Sequence, residues 1–121
     1  MPSIRQEQVA EMIKRHFSRV LQEQGSYVYG NSTLVTVTTV QISPDFSLAK
    51  IYLSVYNTDN KQEVILMMEN EATQLRHALS QRLRKKLRRI PFLNFYLDDT
   101  LDEMYRLREV FDRIKKNDGK S

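Results

Sequence analysis

Apolar residues recur at Val9, Ile13, Phe17, Val20 and Leu21, with Met12 alongside, while Arg5, Lys14, Arg15 and Arg19 fall mostly off that stripe. The spacing of three and four predicts an amphipathic helix with one buried face. Ser3 followed by Gln6 reads as its capping box. Gly25 is a good stop, so the helix is expected to end near Gln24, with a short loop from Gly25 to Asn31. From Thr33 to Ile42 the period changes to that of a β-branched strand. Its phase slips: Val35 and Val37 share one face, Val40 and Ile42 the other, which a bulge near Thr38 and Thr39 reconciles. Ser43-Pro44-Asp45 marks a turn. Ala49, Ile51, Leu53 and Val55 then alternate with Lys50, Tyr52, Ser54 and Tyr56, a half-buried strand that completes a hairpin.

Asn60, with Glu63 three residues on, opens a second helical pattern that runs from Lys61 to Arg89. That is long for a globular helix, and the polar stretch Glu69 to Thr73 is the expected break. Leu75, Leu79, Leu83, Leu87 and Ile90 form the apolar stripe of the second part, and Pro91 ends it. Phe92 to Leu97 is apolar apart from Asn94 and predicts a third strand covered on both faces. Thr100 with Glu103 caps a last helix whose stripe is Leu101, Met104, Leu107, Phe111 and Ile114; residues 115–121 form a frayed polar tail. The order is α-β-β-α-(break)-α-β-α, a single α+β domain over residues 1–121 with helices on one face of a three-stranded sheet and the other face partly open.

Charge sharpens this picture. Arg76, Arg82, Arg84, Lys85, Lys86, Arg88 and Arg89 lie between Arg76 and Leu97, a span without a single Asp or Glu. The segment carries +7 in a chain of net charge +4, so the remainder sums to −3. On a continuous helix, six like-charged pairs three or four apart would cost about 1–3 kcal/mol. Cations in a last turn gain from the helix dipole, which accounts for Lys86, Arg88 and Arg89 but not for Arg82 and Arg84. A concentration of this kind fits a surface that meets phosphates.

The absence of Cys excludes disulfides, thiolate zinc sites and thiol nucleophiles. The longest apolar run, Val64 to Met68, is far too short to span a bilayer, and the first residues have no signal-peptide core, so a soluble cytoplasmic protein is expected. Asp98, Asp99, Asp102 and Glu103 cluster, but acids at a helix start cap it and complement its dipole more readily than they perform acid–base chemistry. His16 and His77 do not make a metal site. Tyr52 and Tyr56, on the polar face of their strand, are the two tyrosines placed to stack on bases, with edge burial the favoured reading of both. There is no phosphate-cradling Gly loop and no nucleophile elbow. No enzymatic activity and no cofactor are expected.

The order of elements, with Arg19-Val20 in the first helix, the hairpin Val40 to Asp45 and Ala49 to Val55, Leu75-Arg76 and Leu79, the basic helix, and the block Pro91 to Leu101, resembles the ribosome-binding factor A family. The resemblance spans about Ile4 to Ile114. It implies a type II KH fold and a maturation factor that binds the precursor of the 30S small ribosomal subunit and its 16S rRNA. It further implies support of late maturation and of processing at the 16S rRNA 5′ end, with a role in cold adaptation. With no large spare apolar stripe in the sequence, a monomer when free is expected. The residues after Ile114 are few, so roles tied to a long C-terminal extension are not expected. A KH domain grips nucleotides through a Gly-x-x-Gly loop between two helices, and this family favours a small-residue kink there. Here the stretch is Glu71-Ala72-Thr73-Gln74, and Gly25, Gly30 and Gly119 are the only glycines. RNA contact is therefore expected through side-chain cations: Arg76, Arg82, Arg84, Lys85, Lys86, Arg88 and Arg89 first, then Arg5, Lys14 and Arg15. They would touch phosphates and read few bases. The other reading of the same helix is a non-enzymatic interaction module that docks an acidic protein partner.

Overall fold

The computed structural model describes residues 2–98. The expected last helix, the tail, and Asp99, Asp102 and Glu103 lie outside the described residues. Within them the elements run α1 (Ile4–Tyr29), β1 (Leu34–Ile42), β2 (Leu48–Tyr56), α2 (Lys61–Asn70), α3 (Ala72–Leu83) and β3 (Phe92–Leu97).

Helix α1 begins as its sequence requires. Ser3 Oγ accepts from the Gln6 backbone N–H at 3.1 Å, and Gln6 Oε1 accepts from the Ser3 N–H at 2.8 Å. The other end of the Gln6 amide donates to the Ile42 carbonyl at 2.9 Å, fastening the start of α1 to the end of β1. The helix does not stop at Gly25. That residue is buried inside it, and the ring of Tyr29, one turn on, occupies the space that a Cβ would need. Gly25 thus serves packing rather than termination. The end comes at Gly30, whose φ of 90° takes the chain out of the helix while its N–H still bonds the Ser26 carbonyl.

The sheet has the order β1-β2-β3, with β1 antiparallel and β3 parallel to the central β2. The register shifts between Val37 and Thr39, the bulge that the phase slip predicts; Val37 then pairs with Leu53 and Val40 with Ile51, all on the inner face. Thr38, the extra residue, donates from Oγ1 to the Asp98 carboxylate at 2.6 Å, so the bulge also holds the exit of β3. In the turn before β2, the Asp45 carboxylate accepts from the hydroxyls of Ser43 and Ser47 and from the Ser47 N–H. The Ser47 carbonyl in turn receives the Phe92 N–H, which sets where β3 begins.

One apolar core lies between the inner face of the sheet and the helices. Val9, Ile13, Phe17 and Val20 of α1 meet Ile51 and Leu53 of β2, Leu75, Leu79 and Leu83 of α3, and Phe95 of β3. The rings of Phe17 and Phe95 stack with centroids 5.8 Å apart. Among the described residues no element covers the opposite sheet face. Strand β3 is therefore not covered on both sides: Leu93 and Phe95 are buried, whereas Phe92 and Tyr96 are 58% and 39% exposed. A strand at the edge of a one-layer sheet buries one face only, whatever its composition.

The long helical pattern breaks at Glu71, as expected, and ends earlier than expected. The Glu71 N–H is shared between the Met67 and Met68 carbonyls at 3.2 Å each, and its carbonyl accepts the Leu75 N–H, so a single residue turns α2 into α3. Its φ is −103°, so the bend needs no glycine. Helix α3 stops at Leu83, and the cations at 84–86 form a turn instead of a further helical turn. Two effects favour that. A helix to Arg89 would align the six repelling pairs, and six more residues would carry the chain about 9 Å along the axis before β3 must begin beside Leu48.

Candidate nucleic-acid interface

Leu83 is fully buried, and its carbonyl accepts the N–H groups of Lys86 and Leu87 at 2.8 and 2.9 Å. That turn closes α3 and leaves Arg84, Lys85 and Lys86 exposed at its C-terminal end, where the helix dipole favours cations. Gln81, Arg82, Arg84, Lys85 and Lys86 line an open concavity. Arg88 and Arg89 follow, exposed, on the bend that leads to Ile90.

Helix α1 brings further cations to the same place. Arg82 Nη1 lies 3.5 Å from Glu23 Oε1, which sets the last turn of α3 beside the second half of α1. Both side chains are solvated, so the pair contributes about 1 kcal/mol at most. His16 lies about two turns before Glu23 on the same flank. Burial holds its pKa below the ordinary histidine value, and Lys86, Arg82, Arg15 and Arg19 push it the same way. Its Nδ1 is buried with no hydrogen-bond partner. Arg15 and Arg19 of α1 thus join Arg82 and Lys86 in one basic seam. Arg19 and His16 are the members the sequence reading did not select. The signal was available, because His16, Arg19 and Glu23 recur at steps of three and four on one helical flank.

Other expected contacts stand apart. At about 100° per residue Lys14 projects from the flank of α1 away from His16, and Arg5 is about 16 Å along the axis from His16. Arg76 has its guanidinium turned to the chain: Nε donates to the Pro91 carbonyl at 3.0 Å and Nη2 to the Ile90 carbonyl at 2.6 Å, with the Phe92 ring 4.4 Å from Cζ. His77 is exposed, its Nε2 3.2 Å from the Gln81 amide nitrogen. On the outer sheet face Tyr52 and Tyr96 stack on each other, centroids 5.3 Å apart, while Tyr56 is 65% exposed. Among the described residues no group of three His, Asp or Glu side chains is placed to hold a metal ion. No helix of the described residues is long and apolar enough to cross a membrane.

The sequence model for ribosome-binding factor A matches residues 5–111. The chain belongs to the ribosome-binding factor A family. The relative from Cytophaga hutchinsonii named ribosome-binding factor A is 34% identical over 121 residues, covering 98% of this chain and 90% of the relative. The one from Chlorobium luteolum, with the same name, is 30% identical and covers 97% of both. The fold is also that of ribosome-binding factor A, a type II KH-like arrangement. The crystal structure of the Thermus thermophilus protein superposes with a TM-score of 0.63 at 22% identity, over 76% of this chain and 94% of that one. A homology model of the Thermus thermophilus factor, as fitted into the cryo-electron microscopy map of its 30S complex, superposes at 0.57 over 72% and 92% at 24% identity. The α2–α3 bend lies away from these cations. Here its neighbours Glu69 and Glu71 are acidic, and the cations gather at the far end of α3, about 16 Å away along the axis.

Proposed function

We infer that this protein is a non-enzymatic assembly factor that binds the 30S ribosomal subunit precursor in the cytoplasm and supports late maturation of its 16S rRNA, including processing of the 5′ end. The family match over residues 5–111 carries this reading, together with the Thermus thermophilus relative fitted into a 30S complex. The basic seam supplies a mechanism. Arg82, Arg84, Lys85 and Lys86 around the open concavity at the end of α3, with Arg15 and Arg19 of α1 near them, offer an array of side-chain cations to a phosphate backbone. Recognition by such an array follows the shape of the folded rRNA more than its bases. Arg88 and Arg89 extend the array, and the acidic bend at Glu71 is left out of it.

Sedimentation with purified small subunits tests the reading. Co-migration at low salt, falling with a log–log slope of about −4 to −5, is the outcome for roughly five neutralised phosphates. The double reversal Arg84→Glu with Arg88→Glu should weaken binding and flatten the slope by about two contacts. A salt-independent association, or none, would overturn the phosphate mechanism. Capture of an acidic protein with no cross-link to nucleotides would make the protein an interaction module instead.

A further inference from the structure

The sheet face turned away from the core carries aromatic rings. Phe92, Asn94 and Tyr96 alternate along β3, all exposed, and the register sets Asn94 beside Lys50 and Tyr96 beside Tyr52 on β2. The Tyr52 and Tyr96 rings stack, with centroids 5.3 Å apart and planes 26° from parallel, and Tyr96 is the more exposed of the two. The Arg76 guanidinium backs one face of the Phe92 ring, Cζ 4.4 Å from its centroid, yet that residue is still 58% exposed. Two ordered π-surfaces thus flank a polar middle made by Lys50 and Asn94. A protein partner that covered both rings with apolar side chains would bury that ammonium and that amide as well, at a cost a dry interface does not recover. Unpaired nucleotides suit the arrangement. Their bases stack on aromatic rings, and their phosphates and base edges meet a cation and an amide.

We propose that this face takes a single-stranded stretch of RNA, with one base on Phe92, another on the Tyr96–Tyr52 stack, and the phosphate backbone between them at Lys50. Phe92 and Tyr96, four residues apart on one strand, have their Cα atoms about 13 Å apart. Successive bases in a helix lie only about 3.4 Å apart, so the site fits splayed, unpaired nucleotides and not a duplex. Asp98 ends the same alternation, its carboxylate accepting from the Thr38 hydroxyl at 2.6 Å, and negative charge at that end directs the backbone towards Lys50. Continuity with the basic array sets the class of the occupant. Arg88 and Arg89 are exposed on the bend that runs through Ile90 and Pro91 into Phe92, so an RNA held by its phosphates on the array can carry an unpaired segment on to these rings. The source of that RNA, the small subunit, rests on the assembly-factor reading.

The test compares a short oligouridylate, a single strand with unstacked bases, with a blunt RNA duplex, each followed by fluorescence anisotropy. Tyr96→Leu keeps apolar bulk and removes the π-face. It should weaken oligouridylate binding about five-fold or more, and leave duplex binding and the salt slope of the single strand unchanged. Lys50→Gln should weaken oligouridylate binding and flatten its log–log salt slope by about 0.7, one contact on a single strand. A measurement on the unaltered protein guards against a misfolded variant: the ring protons of Phe92 and Tyr96 should move upfield as oligouridylate is added. Equal affinity of wild type and Tyr96→Leu, or ring resonances that a bound oligouridylate leaves unmoved, overturns the proposal and leaves the assembly-factor reading standing. Ring resonances that move with isolated small-subunit proteins and not with RNA overturn it in favour of a protein-docking face. Failure to bind oligouridylate and small subunits alike at low salt overturns both readings.

Discussion

Arg76 is a cation whose partners are carbonyls. Its fork grips Ile90 and Pro91 just before β3, with the Phe92 ring against its plane. The Ile90 and Pro91 carbonyls, on two buried residues, both accept from this one side chain. Arg76→Met should destabilise the protein by about 2–4 kcal/mol in chemical denaturation, since hydrogen bonds from a charged group are among the stronger ones. Arg76→Lys should recover only part of it, because an ammonium cannot reproduce the paired geometry. The salt slope of small-subunit binding should stay unchanged in both variants, provided they remain folded. A variant that binds with one contact fewer at unaltered stability would show that Arg76 works outward after all.

Among the elements, the β1–β2 turn has the clearest titration. The hydroxyl of Ser47, then that of Ser43 and the Ser47 N–H, hold the Asp45 carboxyl down to about 2. A depressed carboxyl contributes stability that is present above its unfolded pKa, near 3.8, and is lost as pH falls towards 2. The melting temperature of Asp45→Asn should therefore lie below that of wild type at neutral pH, with the gap closing between about pH 4 and pH 2. A gap that is constant with pH would remove the turn carboxylate from the account. Much of the element plan is legible in the sequence, because the capping box at Ser3, the phase slip at Thr38 and the Asn60 cap each leave a local mark. The misreadings arose where a distant partner decides. Gly25 reads as a stop until the Tyr29 ring is seen to need its bare Cα. The helix through Arg89 reads as continuous until β3 must start beside Leu48. Strand β3 reads as covered because both its faces are apolar, yet nothing in its own sequence reveals that it lies at an edge. The candidate site was half legible for the same reason. The charge run shows itself locally, while its union with Arg15, Arg19 and His16 depends on how α1 crosses α3.

At the scale of the whole molecule, two very different distances meet in one strand. Ala49 of β2 pairs with Ile42, seven residues back, and with Leu93, forty-four residues on. The first pairing closes through the five residues Ser43 to Ser47; the second must wait until α2 and α3 have been laid down between them. Loop closure is slower and entropically dearer for the longer path. The hairpin is thus expected to form early with α1 against it, and β3 to dock last and leave first. Native-state hydrogen exchange should resolve that order. Amides of β3 and of its docking contacts, Phe92 and Asp98, should open at lower free energy than those joining Val37 to Leu53 and Val40 to Ile51. The Arg76 clasp and the Thr38–Asp98 bond sit at the two ends of this late strand. They act as latches on a partly assembled protein, and loosening either should widen the interval in which the inner faces of Leu53 and Phe17 meet water.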